Sequence, residues 1–241
     1  MIKFTCGNKE VILRVCGKNV IKELIRSNNK LVKVYITNKF EDNEIIDYIN
    51  LNKINYEISD KTKLDKLTKG NHQGIVAEIE DYKTCKLEEI INSSNNKLIV
   101  MLDHLEDPHN FGAIIRTCEA AGVGGIIIPK DRSVSVNETV MKTSAGALSY
   151  TKISTVTNLV NTINYLKKEG YFIVGTDASG VDYNEIDYNM KVCLVIGSEG
   201  FGMSRLVQSA CDFVVKLPMN GHVNSLNASV ATGVMIYKII G

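Results

Sequence analysis

Leu98-Ile-Val-Met-Leu-Asp-His-Leu-Glu-Asp-Pro-His-Asn-Phe-Gly-Ala-Ile-Ile-Arg-Thr-Cys-Glu-Ala-Ala-Gly122 decides the fold class. Its first five residues are all apolar, and a run without alternation predicts a strand buried on both faces. A polar loop follows, and then a helical pattern from Asn110 onward. Strand, loop and helix in that order open an α/β unit with parallel strands. The pattern repeats downstream. Continuous apolar runs at 125–129, 171–175 and 192–196 predict three more strands, and the strand-like run at 213–217, which includes Lys216, a fifth. Helices are expected near 110–121, 137–148, 157–169 and 204–209. Ligands in such sheets bind outside the carboxyl ends of the strands. The loops after Leu102, Ile196 and Leu217 are therefore the places to look.

Upstream, residues 1–82 read as a smaller α/β unit, with helices over 19–26, 43–50 and 62–67 and strands over 33–37, 56–59 and 74–79. It carries 14 Lys and Arg against 12 Asp and Glu, a weak footprint for a polyanion partner. The polar run Asn92-Ser-Ser-Asn-Asn96 marks a boundary, so a linker is expected over 83–96 and a second domain over 97–241. Across the 241 residues, 44% hydrophobic and 23% charged composition fits a soluble globular protein with a sizeable core. No apolar run is long enough for a membrane span. Met1-Ile-Lys-Phe-Thr-Cys-Gly does not read as a signal peptide. Six cysteines (Cys6, Cys16, Cys85, Cys118, Cys193 and Cys211) lie scattered without a C-x-x-C pair. That favours free thiols in a reducing compartment, and the cytoplasm is the expected location.

The unusual residues collect in three stretches. In the first, Asp107-Pro108 favours a turn and Asn110 stands where a helix N-cap belongs. Arg116, in the second turn, is either a surface arginine or a functional one; its small and apolar neighbours Ala113, Ile114 and Ile115 favour the second reading. A metal site from His104, Glu106, Asp107 and His109 is not expected, because Pro108 interrupts the spacing. The second stretch is Ile196-Gly-Ser-Glu199-Gly-Phe-Gly-Met-Ser204. Its G-x-x-G-x-G spacing is neither the dinucleotide fingerprint nor a P-loop. It is open to two readings, a glycine-rich turn with a solvated Glu199 or a backbone that approaches a ligand closely. The third stretch, Leu217-Pro-Met-Asn-Gly-His-Val-Asn-Ser225-Leu-Asn227-Ala-Ser229, brings three small polar side chains to a helix entrance where one would suffice as a cap. No Gly-x-Ser-x-Gly elbow occurs.

Together these stretches resemble the three signature motifs of the SpoU (TrmH) branch of the SPOUT superfamily. The resemblance implies an RNA ribose 2′-O-methyltransferase using S-adenosylmethionine, with a deep trefoil knot and a homodimer. It places Asn110, Arg116, Glu199, Ser225, Asn227 and Ser229 on catalytic motif positions. It places Ile196, Gly197, Leu217, Met219 and Leu226 on the methyl-donor pocket. Gly17-Lys-Asn-Val and Asn71-His-Gln-Gly-Ile-Val-Ala in the first unit are similar to an L30e-like RNA-binding domain. That combination most resembles the type acting on a guanosine of 23S ribosomal RNA; transfer RNA is the alternative substrate and a catalytically silent RNA-binding paralogue a more distant one. His222 and Asn224 depart from the small residues usual in this family. The resemblance implies neither a metal nor a membrane partner.

Overall fold

Strands and helices alternate along most of the described residues. The computed structural model describes residues 12–27, 29–80, 82–93 and 97–241. The stretch with Cys6 and residues 94–96 of the polar run lie outside the described residues. The chain divides into two units, Met1–Lys83 and Thr84–Gly241.

The first unit runs β1 (Ile12–Cys16), α1 (Lys18–Arg26), β2 (Leu31–Ile36), α2 (Asn43–Leu51), β3 (Asn55–Ile58), α3 (Lys61–Leu67) and β4 (Ile75–Glu80). Asp42 and Asp60 cap α2 and α3 by accepting from Ile45 N and Lys63 N. The sheet order is β1-β4-β2-β3, with only the β2–β3 pair parallel. Ile21, Leu24, Val34, Ile45 and Leu64 are fully or almost fully buried between helices and sheet. Strand β1 was not expected. It is short and leads directly into Gly17, so it reads as the approach to a helix.

The second unit begins with α4 (Leu87–Ile91) and continues β5 (Leu98–Asp103), α5 (Pro108–Ala120), β6 (Ile126–Pro129), α6 (Glu138–Thr143), β7 (Ile153–Val156) and α7 (Leu159–Lys168). It then runs β8 (Phe172–Asp182), β9 (Val192–Gly197), α8 (Arg205–Ala210), β10 (Phe213–Lys216) and α9 (Ala228–Ile240). The six strands lie in the order β10-β8-β9-β5-β6-β7, and every neighbouring pair is parallel. The order turns back on itself between β5 and β9, the kind of place where α/β sheets open a ligand crevice. Both central strands are buried along their whole length, as unbroken apolar runs require.

Three departures from the expected pattern have local causes. Within the expected linker, α4 buries Ile90 and Ile91 in the core of the second unit. The helix expected over 137–148 ends at Thr143, because Ala145 and Gly146 both take left-handed backbone (φ 50° and 91°). A sixth strand, β7, pairs with β6 at one edge. Its Ile-Ser-Thr-Val has two polar residues in the middle and so does not read as a continuous apolar run. Gly112 shows how tightly α5 packs on α6: a Cβ there would lie 2.6 Å from Thr143 Cβ. Among the described residues no helix is long and apolar enough to cross a membrane.

Candidate active site

The carboxyl ends of β8, β9 and β10 surround a cavity of about 750 Å³. Ile196 and Gly197 enter it from the end of β9, and Leu217, Met219, Ser225 and Leu226 from the segment between β10 and α9. Glu199 stands on the wall that follows β9. That wall is a tight projection. Ser198 N donates to Gly202 O at 3.1 Å and Gly202 N returns to Ser198 O at 2.9 Å, so residues 199–201 protrude. Gly197 allows this closure. A Cβ on it would sit 2.1 Å from the Gly202 carbonyl carbon and 2.2 Å from Met203 N.

The opposite rim comes from β8. Strand β10 pairs with β8 at Val174 and Gly175 and next at Val181 and Asp182. Residues 176–180 therefore leave that ladder, and Thr176, Asp177 and Ala178 line the cavity. Asp177 Oδ1 accepts from Ser179 Oγ at 2.6 Å and Ser179 N at 2.9 Å. These bonds, the hydroxyl's first, hold its carboxyl below the usual aspartate range. Sequence reasoning missed this group. The signal was present, because Thr176 follows an apolar strand run and the carboxyl-end rule applies to β8 as to its neighbours.

A chain of side-chain amides ties the three sequence stretches together. Asn227 caps α9: its Oδ1 accepts from Ser229 Oγ at 2.6 Å, Ser229 N at 2.9 Å and Val230 N at 3.4 Å. Its Nδ2 donates to Asn110 Oδ1 at 2.9 Å. Asn110 Nδ2 in turn donates to Glu199 Oε1. Each amide accepts at one end and donates at the other, so the helix terminus, both asparagines and the carboxylate polarise one another. Ser229 supports the chain through Asn227, whereas Ser225 stands in the cavity lining.

One expectation needs correction. Asn110 is not the cap of α5; Asp107 is, accepting from His109 N at 3.0 Å, with Pro108 as the first helical residue. Asn110 lies inside the first turn and is buried. Arg116 is exposed, and among the described residues it makes no hydrogen bond or ion pair. Six residues of α-helix turn a side chain about 240° from its starting direction. That places Arg116 on a different face of α5 from Asn110, so neither Asn110 nor Glu199 holds it within one chain.

Known proteins share both the sequence and the fold. The SpoU rRNA Methylase family matches residues 97–237, and RNA 2′-O ribose methyltransferase substrate binding matches residues 14–85. A protein of Staphylococcus saprophyticus named for the TrmH family of tRNA/rRNA methyltransferases is 46% identical over 233 residues, covering 93% of this chain and 94% of that protein. Its Bacillus subtilis counterpart YacO is 42% identical with the same coverage. The crystal structure of the SpoU methyltransferase AviRb from Streptomyces viridochromogenes, in complex with AdoMet, superposes with a TM-score of 0.84 at 22% identity. That match covers 97% of this chain and 93% of the other.

Proposed function

The chain belongs to the SpoU rRNA methylase family, and from that premise we propose that it transfers a methyl group from S-adenosylmethionine to a ribose 2′-hydroxyl of RNA. It is an RNA methyltransferase of the SpoU/TrmH family; the donor, the acceptor atom and the RNA are our reading. The observation that carries it is the placement of Glu199, held by Asn110 and Asn227 on the wall of a cavity built from the ends of three parallel strands.

The cavity suits the donor. Its volume lies within the range of about 300–1,000 Å³ usual for small-molecule sites. Ile196, Leu217, Met219 and Leu226 offer aliphatic walls, and Gly197 leaves backbone close to the space. When bound, S-adenosylmethionine supplies an electrophilic methyl group on a sulfonium. The residues then have to position a ribose hydroxyl and accept its proton. Glu199 is suited to that acceptance, because Asn110 occupies one carboxylate oxygen and leaves the other for the hydroxyl.

We further propose a homodimer. Helix α9 is apolar on both sides: Met235, Ile236 and Ile239 are buried, while Val230, Val234, Tyr237 and Ile240 form a stripe 40–56% exposed. A helix apolar all round calls for a second packing partner. Helix α5 packs beside α9, with Thr117 Cγ2 3.7 Å from where a Gly233 Cβ would stand. Arg116 is exposed on α5, the helix beside α9, and in our reading a two-fold contact through α9 would carry it toward the partner's cavity. There its guanidinium, which stays cationic, would hold an RNA phosphate or steady the developing alkoxide.

Two points of fold complete the reading. After edge strand β10 the chain lines the cavity, and α9 packs on α5 and β9; such a path supports a trefoil knot. In the first unit Lys18 N donates to Gln73 Oε1 at 2.8 Å, bringing the Gly17-Lys-Asn and Asn71-His-Gln strings together. Beside them lies a hollow of about 540 Å³ with Lys39, Lys61 and Asn71. This supports an L30e-like RNA-binding surface. We place a guanosine of 23S ribosomal RNA first among substrates, with transfer RNA second, and the protein in the cytoplasm. Mass-spectrometric mapping of 2′-O-methylation in both RNA classes, with and without the gene, tests the assignment. A modification lost from transfer RNA alone would overturn the substrate choice.

A further inference from the structure

A second cavity, of about 400 Å³, opens on the other side of the 198–202 projection. It lies over the ends of β5 and β9 and takes in Arg132, a few residues beyond β6. Ser198, Glu199 and Gly202 line both cavities, so the projection is a partition between them.

The second cavity is built. Asp103 is buried; one of its oxygens contacts His104 Nδ1 at 2.5 Å and the other accepts from Ser204 N at 2.6 Å. It thereby fixes the residue that opens the β5 loop and the residue that closes the projection. His104 and Arg132, both lining residues, take left-handed backbone with φ 58° and 50°. Such backbone is uncommon for side chains of this size and persists where the surroundings impose it. Among the described residues neither Arg132 nor Glu106 has a hydrogen-bond or ion-pair partner, although both face the same space. At the rim Phe201, between Gly200 and Gly202, is 96% exposed. A large aromatic at the tip of a fixed projection has no role in the core.

We infer that this second cavity receives the base of an RNA nucleotide turned out of its stack, with Phe201 as the stacking platform and Arg132 on the adjoining phosphate. The inference rests on the reading of the first cavity as the methyl-donor site. The partition then sets the geometry: a base on one side of Glu199 would bring its own or the next ribose to the donor on the other. An unpaired guanidinium suits a phosphate held bidentately, and exposed aromatics are the usual platform for unstacked bases; the carboxylates of Asp103, Glu106 and Glu199 share the lining, so the phosphate belongs at the rim with exposed Arg132 and not inside. Glu106 accepts hydrogen bonds only, so it favours base edges that present N–H donors.

The test uses the full-length protein, tritiated S-adenosylmethionine and total RNA from a strain lacking the gene. Phe201→Ala and Arg132→Ala are expected to raise the KM for RNA about tenfold or more, with donor affinity by calorimetry within twofold of wild type. Phe201→Trp should restore the wild-type KM, whereas Phe201→Leu should not, because stacking rather than apolar bulk is required. Arg132→Lys should restore little. If Phe201→Ala keeps the wild-type kcat/KM on RNA that the wild type methylates, the base site is wrong while the methyltransferase reading stands. If the wild type moves no label into any RNA, both readings fall.

Discussion

Asn227 Nδ2 donates to Asn110 Oδ1 at 2.9 Å across 117 residues of chain, and the same Asn227 side chain caps the helix that carries the exposed apolar stripe. Removing it acts twice. Asn227→Ala should lower stability by about 0.5–2 kcal/mol through the lost cap, read by urea unfolding. It should also slow single-turnover transfer, because Asn110 no longer has a fixed orientation. Asn110→Ala should slow transfer by roughly 10²–10³, and the double variant should lose less than the sum. Strict additivity in the rate would show that the amides do not act as one unit.

Gly197→Ala places a methyl group 2.1 Å from the Gly202 carbonyl carbon, against backbone that cannot rotate away. The projection has to shift, and with it the shared wall of both cavities. Donor affinity should fall at least tenfold while far-ultraviolet circular dichroism stays native. Unaltered donor binding would place the donor elsewhere.

The exposed face of α9 predicts a dimer in solution. Sedimentation equilibrium should give twice the chain mass, and Val234→Glu, which puts a charge in the middle of the stripe, should give the monomer. A wild-type protein that is monomeric at micromolar concentration would remove the dimer from the account.

Arg116 can be tested by mixing. If it serves the partner's cavity, Arg116→Ala and Glu199→Gln dimers should each be inactive. Subunit exchange between them should recover about a quarter of wild-type activity, because half the dimers would be mixed and each would hold one complete site. If Arg116 acts within its own chain, mixing recovers nothing.

Asp177 gives a pH signature. Its carboxyl is held below the usual value of 3.8 by the Ser179 hydroxyl and amide. The folded state thus prefers the ionised form, and the resulting stability is present above about pH 4 and lost as pH falls through the depressed value. Asp177→Asn should be less stable than wild type at pH 7, and the gap should narrow below pH 4 in urea titrations. A constant gap would exclude this linkage.

Much of this architecture was legible because burial on both faces of a sheet writes itself as unbroken apolar runs. Four of the six strands of the second unit follow from that rule; the edge strands β10, interrupted by Lys216, and β7, with Ser154 and Thr155, do not obey it. Helix ends were harder. Ala145 takes a positive φ that its residue type does not announce, and α6 stops there. At the site, residue types pointed to Asn110, Glu199 and Asn227, yet the hydrogen-bond order among them depends on distances no spacing encodes. Arg116 is exposed although its sequence neighbours are apolar, because those neighbours bury other faces of α5 than its own. Thr176 and Asp177 were missed because the carboxyl-end rule was applied to the loops after three other strands and not to the end of the apolar run at 171–175.

The cavity wall formed by residues 217–228 has a consequence in time. During synthesis β5, α5, β8 and β9 leave the ribosome first; they carry Asn110 and Asp177, and Glu199 follows directly after β9. The wall and the α9 cap emerge only afterwards. A nascent chain therefore holds an open half-site, with Asn110 Oδ1 still lacking its donor. Parallel pairings of such long sequence separation are slow to form. The enzyme should thus gain its affinity for small molecules late, in one step, when α9 docks.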